Sequence, residues 1–234
     1  MSGLFRKISQ SIVQLFYPNV CAACGTQLLG DEKVICTTCW HDFPETDYHL
    51  HDVNPVEEKC RGRFPFRHAT AMYYFNKETR IQQALHHLKY RGETEVGKAF
   101  GQHFGRALLQ SSWVNEIDVI VPVPLSDKKL KERGYNQSAC IAEGISEVTG
   151  IPVDTKSLRR VKHTATQTHK SRSERMNNVA NAFALVPHHE LANKHVLLVD
   201  DVITTGATLE SSAKMILTAN QSQISIATLA YAID

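Results

Sequence analysis

Two adjacent carboxylates stand directly before a hydroxyl-rich turn in the stretch VLLVDDVITTGATL, residues 196–209 of a chain of 234. The apolar run Val196–Val199 predicts a buried parallel strand, which delivers Asp200 and Asp201 to the carboxyl edge of the sheet, where open α/β folds bind ligands. A helix is predicted to begin near Thr208, so its free N–H groups and the positive end of its dipole face the same place. An anion pocket and two negative charges are therefore expected side by side.

The turn that joins this strand to this helix has the composition of a phosphate cradle. Its backbone N–H groups, its hydroxyls and its one glycine come from Thr204, Thr205, Gly206, Ala207 and Thr208. Ionised carboxylates only accept hydrogen bonds, so Asp200 and Asp201 require a ligand that also carries hydroxyl groups. A ribose 5-phosphate unit meets both demands, with its phosphate in the turn and its 2- and 3-hydroxyls on the carboxylates. Two solvated aspartates beside a threonine-rich turn are the alternative.

Two Cys-x2-Cys pairs near the N-terminus, in CAACG and CTTCW, predict a structural metal site. Two close thiolate pairs supply the four soft ligands that tetrahedral Zn2+ prefers, and Gly25 permits the tight turn that brings backbone N–H groups toward the sulfurs. The candidate ligands are Cys21, Cys24, Cys36 and Cys39. Disulfides and an iron site are the alternatives. Cys140 lies in a helical pattern and is predicted to be a small core residue. Cys60 is a candidate ligand of a second metal site, with one of His49, His51 and His68.

The composition is that of an ordinary globular protein, with 42% hydrophobic and 21% charged residues and a formal net charge of +2. Three parts are predicted: an N-terminal amphipathic helix over residues 1–20, a zinc-ribbon-like four-cysteine module over 21–68, and an α/β domain over 69–234. No apolar run is long enough for a transmembrane helix and no signal peptide is recognisable, so the cytoplasm is the expected compartment. The chain lacks the glycine-rich motifs of Walker-type ATP sites and of dinucleotide sites.

Helical and strand patterns alternate in the predicted α/β domain. Helices are predicted over Arg80–Tyr90 and Glu95–Leu109, and another before Gly150, which is a natural C-terminal stop. Further strands are predicted over Ile117–Pro124 and Ile224–Tyr231, with a shorter one in Gly150–Asp154.

These features together resemble known families. The stretch 196–209 closely resembles the thirteen-residue 5-phosphoribosyl-1-pyrophosphate (PRPP) signature of type I phosphoribosyltransferases, in which the acidic pair holds the ribose hydroxyls and the loop holds the 5-phosphate. From about Leu15 to the C-terminus, the chain resembles the ComF family of bacterial competence proteins, which includes GntX-like members. The narrower resemblance rests on the cysteine pairs and on LKYRG (88–92), VPVPL (121–125), RGYNQ (133–137) and TQTHKSRSERMNNVANAF (166–183). Some relatives carry further cysteine pairs where this chain has only Cys60, which argues against a second zinc.

The resemblance implies a type I phosphoribosyltransferase fold, with a mostly parallel central sheet flanked by helices. It implies PRPP as the ligand and Mg2+ beside it, because the pyrophosphate of PRPP is normally presented as its metal complex. It also implies a cytoplasmic role in natural transformation, acting on incoming single-stranded DNA, with other competence or recombination proteins as candidate partners. It does not fix a transferase reaction.

Cations for the pyrophosphate are expected in the loop after the first core strand, because the family uses that loop for this purpose. The candidates in this chain are Lys128, Lys129, Lys131 and Arg133, with Gly134 allowing close approach. Arg133 is the strongest of them because a guanidinium forks onto phosphate oxygens. The alternative is a solvated basic helix start.

A second basic segment, residues 156–175, holds seven Lys or Arg against one acid, a local charge of +6. In phosphoribosyltransferases a flexible loop closes over the reacting centre, and this segment falls at the corresponding place. Its charge serves pyrophosphate closure and single-stranded DNA binding equally well. A solvated loop that leads into a following helix is the plain alternative.

Three functions remain open from the sequence. The first is a PRPP-binding ComF-type protein. The second is a working phosphoribosyltransferase, in which Asp200, Asp201 and Arg133 stabilise an oxocarbenium-like ribose. No motif for activating a base or amine acceptor accompanies it. The third is a nucleic-acid-binding module that has kept the fold without the ligand.

Overall fold

The computed structural model describes residues 19–76, 79–90, 93–161, 182–188 and 190–233. Nearly all of the helix predicted over residues 1–20 lies outside these ranges. Residues 162–181 also lie outside them. This range includes most of the basic segment 156–175 and nearly all of the helix that was considered as its continuation.

Seven helices and six strands make up the described part of the chain. The helices are α1 (Thr37–Asp42), α2 (Pro55–Cys60), α3 (Arg80–Tyr90), α4 (Thr94–Leu108), α5 (Asp127–Arg133), α6 (Gln137–Thr149) and α7 (Ala207–Ile216). The strands are β1 (Ala69–Phe75), β2 (Val119–Pro122), β3 (Leu158–Arg160), β4 (Phe183–Leu185), β5 (His195–Ile203) and β6 (Gln223–Ala232). Short 3-10 turns occur at Tyr48–Leu50 and Val114–Glu116.

The central sheet has four parallel strands in the order β1-β6-β5-β2. A parallel bridge from Ile120 to Val153 adds the predicted short segment 150–154 beside β2. The two remaining strands, β3 and β4, pair as an antiparallel hairpin. Helices cover both faces of the sheet, so the predicted α/β class is confirmed.

Alternate residues of β5 point into two different cores, as the two-residue period of a strand requires. Leu197 and Val199 face one core, which contains Phe100 of α4 and Ile141 of α6. Val196 and Leu198 face the other core, which contains Leu209 and Ile216 of α7. Burial of β5 on both faces explains its nearly continuous apolar sequence.

The cysteine-rich segment shares the first of these cores. Cys21, Ile35 and Phe43 are buried in the same cluster as Phe100, and the ring centroids of Phe43 and Phe100 lie 5.5 Å apart. A short antiparallel bridge from Glu45 to Tyr73 joins the segment to β1. The division of the chain at residues 20 and 68 stays a prediction.

The strand that carries the acidic pair is longer than the sequence predicts. We expected it to end at Val199, but β5 continues to Ile203 and Asp200 pairs with Thr228 of β6. Its other neighbour, β2, ends at Pro122, which pairs with Val199. From Asp200 onward, β5 therefore has β6 on one side only, and this step in the sheet opens the space for the acidic pair.

None of the described helices combines the length and apolar composition needed to cross a bilayer.

Candidate functional site

The acidic pair lies at the step in the sheet, and the two carboxylates have different partners. Asp200 Oδ1 accepts hydrogen bonds from Ser138 Oγ and from the Asp201 backbone N–H, both at 2.9 Å. Asp201 Oδ1 accepts from the Val202 N–H at 2.7 Å, and Asp201 Oδ2 lies 2.9 Å from Lys89 Nζ. Within the described ranges no group donates to Asp200 Oδ2, which therefore stays available as an acceptor.

Burial and, next, the negative charge of Asp201 raise the pKa of Asp200 from its ordinary value of 3.8 to about 7. The hydrogen bonds from Asp201 and Ser138 and the charge of Lys89 oppose this shift. Two carboxylates so close together cannot both ionise cheaply without a positive or hydrogen-bonding partner. A cationic or hydroxyl-bearing ligand would supply that partner.

The raised pKa of Asp200 makes stability depend on pH. The folded chain holds a proton that the unfolded chain loses between pH 3.8 and about 7, so this group's contribution is fully present below pH 3.8 and is lost as the pH rises through about 7. Asp200→Asn keeps the acceptor oxygen and removes the charge. The variant is therefore expected to melt above the wild type at pH 8, by a margin that shrinks steadily toward pH 4. Calorimetric melting temperatures across this range check it, and a margin that does not change with pH would contradict it.

The predicted phosphate loop connects β5 to α7. Gly206 caps the N-terminus of α7 with a φ of +76°, in the left-handed region that favours glycine. No described residue accepts a hydrogen bond from the backbone N–H of Thr205 or Gly206. A small cavity of about 30 Å³ opens at this loop, lined by Asp200 and residues 202–209. Free peptide donors and a helix N-terminus thus face a space beside one carboxylate.

Three cations that were not among the predicted site residues contact the acidic pair or this loop. Lys89, in α3, pairs with Asp201. Lys59 Nζ donates to the Thr204 carbonyl oxygen at 2.6 Å, and Arg63 Nη1 donates to the Thr205 carbonyl oxygen at 2.7 Å. The only signal in the sequence was the motif LKYRG, which contains Lys89 and which entered the family resemblance without a role.

The predicted pyrophosphate cations lie on α5, a helix with no buried residue. Lys128 lies 3.9 Å from Glu132, and its side chain is 85% exposed. Lys129 is also exposed. Arg133 Nη1 donates to Gln137 Oε1 at 2.7 Å. No hydrogen bond or ion pair within the described ranges joins these cations to the acidic pair, and their role stays a prediction.

The segment after α5 contributes to the site through different residues. Gly134 ends α5 with a φ of +82°. Asn136 Nδ2 then donates to the Val123 carbonyl oxygen at 2.9 Å, and Asn136 also caps α6. This cap places Ser138 in the first turn of α6, where its hydroxyl reaches Asp200. Asn136 and Ser138 therefore connect the residue after β2 to the acidic pair.

The four predicted metal ligands come together. The sulfurs of Cys21, Cys24, Cys36 and Cys39 all lie within 4.8 Å of one another. The sulfurs of Cys24 and Cys36 are 3.8 Å apart, which is about the separation of two ligands on a tetrahedral ion with metal–sulfur bonds of about 2.3 Å. The backbone N–H groups of Ala23 and Cys36 donate to Cys21 Sγ at 3.4 and 3.3 Å. Such donors stabilise thiolate, so the cluster fits a four-coordinate metal.

Cys60 does not belong to this cluster. In the part of the chain that the structure describes, the four cysteines form the one group of three or more candidate metal ligands. Cys60 is the last residue of α2 and is buried in the core, and burial raises the pKa of its thiol to about 11. A neutral core thiol accounts for this residue, and the described residues do not form the second metal site that we considered.

Comparisons with known proteins agree with this architecture. The profile of the phosphoribosyl transferase domain matches residues 137–234, which include α6, the acidic pair and the loop. Over 100 residues the chain is 42% identical to competence protein F of Haemophilus influenzae, covering 42% of this chain and 44% of that protein. It is 34% identical over 137 residues to the DNA utilization protein YhgH of Salmonella typhimurium, covering 57% of this chain and 59% of that protein. These alignments span only about half the length of the two relatives.

A third relative aligns over more of its length. The chain is 26% identical over 199 residues to the competence protein ComFC of Bacillus subtilis, covering 85% of this chain and 78% of that protein. Among solved structures, a glutamine PRPP amidotransferase from B. subtilis matches with a TM-score of 0.43 and 23% identity, covering 61% of this chain and 30% of that chain.

The parallel sheet and the loop at its carboxyl edge have the arrangement of a phosphoribosyltransferase fold, and the domain profile matches residues 137–234. The relatives named above are competence and DNA utilization proteins, and the chain is similar to them over the ranges given.

Proposed function

We propose that this chain binds PRPP as its Mg2+ complex at the end of β5. The observation that carries the proposal is the pairing of two acceptor carboxylates with a loop whose peptide N–H groups have no protein acceptor within the described ranges. The loop suits the 5-phosphate, and the carboxylates suit the 2- and 3-hydroxyls of the ribose. The profile match to a phosphoribosyl transferase domain over the same residues supports this assignment.

Binding requires the site to change its charge pairing. Without ligand, Asp201 is neutralised by Lys89 at 2.9 Å, and Asp200 retains a proton at low pH because its pKa is raised to about 7. A ribose diol donates to both carboxylates in their ionised form. Lys89 then becomes available to the anionic groups of the same ligand, because its Nζ already lies at the site, 2.9 Å from Asp201 Oδ2.

The cysteine cluster is assigned a structural Zn2+. Four thiolates fill a tetrahedral shell and leave no open position for catalysis. The cluster anchors residues 21–43, in which the one helix, α1, is six residues long. Zinc would therefore stabilise the fold, while the chemistry of the ligand stays at β5.

The site is proposed to serve the handling of single-stranded DNA. Two observations support this: the relatives named competence protein F and DNA utilization protein, and the charge of +6 on residues 156–175. Lys156, Arg159 and Arg160 are the described cations of that segment. A basic, polar segment binds single strands mainly through their phosphates.

Isothermal titration with PRPP and excess Mg2+ tests the ligand assignment. The double variant Asp200→Asn, Asp201→Asn is expected to bind at least about a hundredfold more weakly, because the hydrogen bonds from the ribose hydroxyls lose their ionised acceptors. The double variant Asp31→Asn, Asp52→Asn is the control, since it removes the same charge from two exposed positions. Equal affinities in the site variant and the control would refute PRPP binding at this site.

The same preparation tests the DNA assignment. Fluorescence titration with a labelled single-stranded oligonucleotide at several salt concentrations is expected to give an affinity that falls steeply with salt. Replacing Lys156, Arg159 and Arg160 with Gln is expected to reduce that slope. A slope near zero in the wild type would exclude the basic segment as a contact.

A further inference from the structure

Two cations hold the phosphate loop from the side of the cysteine-rich segment. Lys59 is in the last turn of α2, and Arg63 is in the turn that follows. They donate to the carbonyl oxygens of two successive loop residues, Thr204 at 2.6 Å and Thr205 at 2.7 Å. A methyl group added to Gly206 would lie 3.5 Å from Arg63 Nη1 and 3.9 Å from Lys59 Cγ. Both side chains therefore pack directly against the loop.

These contacts fix the direction of two peptide N–H groups. In a trans peptide the C=O and the N–H point to opposite sides, and the described chain contains no cis peptide. With the Thr204 carbonyl turned toward Lys59, the N–H of Thr205 points away from it. With the Thr205 carbonyl turned toward Arg63, the N–H of Gly206 also points away. Neither N–H has an acceptor in the described residues, and both belong to residues that line the cavity.

The loop needs such a restraint because of its glycine. Glycine populates positive and negative φ about equally. The peptide between Thr205 and Gly206 can therefore flip by rotating about ψ of Thr205 and φ of Gly206. A flip would turn a carbonyl oxygen into the cavity, where it would repel a phosphate. The hydrogen bond from Arg63 opposes this flip, and its positive charge polarises the peptide so that the Gly206 N–H becomes a stronger donor.

Each cation is itself held in place by other groups. Lys59 Nζ lies 4.6 Å from the centroid of the Tyr231 ring, in the geometry of a cation–π contact. Arg63 Nη1 lies 3.5 Å from Glu210 Oε2, and Glu210 also pairs with Lys214 at 2.6 Å. The end of β6 and the first turn of α7 thus keep both side chains against the loop.

We infer that Lys59 and Arg63 are positioning residues: by holding the carbonyls of Thr204 and Thr205, they aim the Thr205 and Gly206 N–H groups at the ligand's phosphate. The inference rests on the proposed function for the identity of that ligand. It assigns a part of the phosphate site to residues that lie 145 and 142 positions away along the chain. The anion affinity of the loop is then set by a segment outside the phosphoribosyl transferase profile, which begins at residue 137.

Amide spectra and PRPP titrations of the full chain test the inference. Lys59→Met and Arg63→Met are expected to shift the Thr205 and Gly206 amide resonances, respectively, and to weaken PRPP binding about tenfold each. Arg63→Lys keeps a donor and is expected to restore most of both effects. Arg61→Met is the control, because Arg61 is exposed on the same segment and carries the same charge. A purely structural role for the two cations would lower the melting temperature without moving the two amide resonances.

The outcomes separate this inference from the proposed function. If Lys59→Met and Arg63→Met match Arg61→Met in PRPP affinity and leave both amides unshifted, the inference is wrong even though PRPP binds. If the wild type binds no PRPP, the proposed function is wrong. In that case shifted Thr205 and Gly206 resonances still support the positioning role, and unshifted resonances overturn it.

Discussion

Replacing Cys39 with Ser is expected to release the metal ion from the cysteine cluster and to lower the melting temperature by about 10 °C or more. Cys39 is fully buried, and the segment around it has little regular structure to hold it in place. Its α1 is six residues long, and the neighbouring Phe43 packs against Phe100 in the core of the sheet. Loss of one ligand therefore disturbs both the cluster and the packing over α4.

The measurement combines zinc content by atomic emission with thermal melting. Cys140→Ser is the matched control, because Cys140 is also a buried cysteine but lies outside the cluster. We expect the wild type and Cys140→Ser to hold one equivalent of zinc and Cys39→Ser to hold none. A wild-type chain purified without any metal, or a Cys39→Ser variant that retains one equivalent, would contradict the assignment of the cluster.

Periodicity located the elements well where side chains decide the structure. The helix predicted over Arg80–Tyr90 has those bounds in the structure, because its apolar residues recur on one face and its polar residues cover the other. The predicted end of β5 at Val199 was wrong for a physical reason. Two carboxylates are rarely buried in a strand, so they suggest that the strand stops before them. The backbone of Asp200 nevertheless pairs with β6, and its buried carboxylate accepts hydrogen bonds from Ser138 and from the Asp201 N–H.

The candidate site divides in the same way between local and distant contributions. Asp200, Asp201 and the loop are contiguous in sequence, so the strand–turn–helix pattern alone predicts their proximity. Lys59 and Arg63 reach the loop across more than 140 residues, and no local pattern reports such contacts. Arg133 was singled out for its charge and its neighbouring glycine. In the structure its guanidinium contacts Gln137, while the uncharged Ser138 of the same segment reaches Asp200.

The close packing of α4 on α6 could not be predicted from the pattern of apolar residues, because glycines form the contact. Helix α4 carries glycine at every fourth position, at 97, 101 and 105, and Gly144 faces it from α6. A methyl group on Gly101 would lie 2.9 Å from the Gly144 Cα and would clash with the carbonyl oxygen of Ile141. The two backbones thus approach closely through small residues, and the acidic pair depends on this because Ser138 is in the first turn of α6.

Gly101→Ala is therefore expected to destabilise the chain by about 3 kcal/mol or more, since backbone atoms on both helices must move to make room. In an exposed helix the same change would stabilise by about 1 kcal/mol through helix propensity. Urea unfolding at fixed pH gives the difference in the free energy of unfolding.

Gly105→Ala on the same helix provides the control. There the added methyl would lie 3.0 Å from Val148 Cβ and 3.2 Å from the Ile145 carbonyl oxygen, so small shifts relieve the crowding and the gain in helix propensity offsets it. We expect its stability to stay within about 1 kcal/mol of the wild type. If Gly101→Ala also stayed within about 1 kcal/mol of the wild type, α4 and α6 could separate at little cost. Their packing would then not hold Ser138 against Asp200.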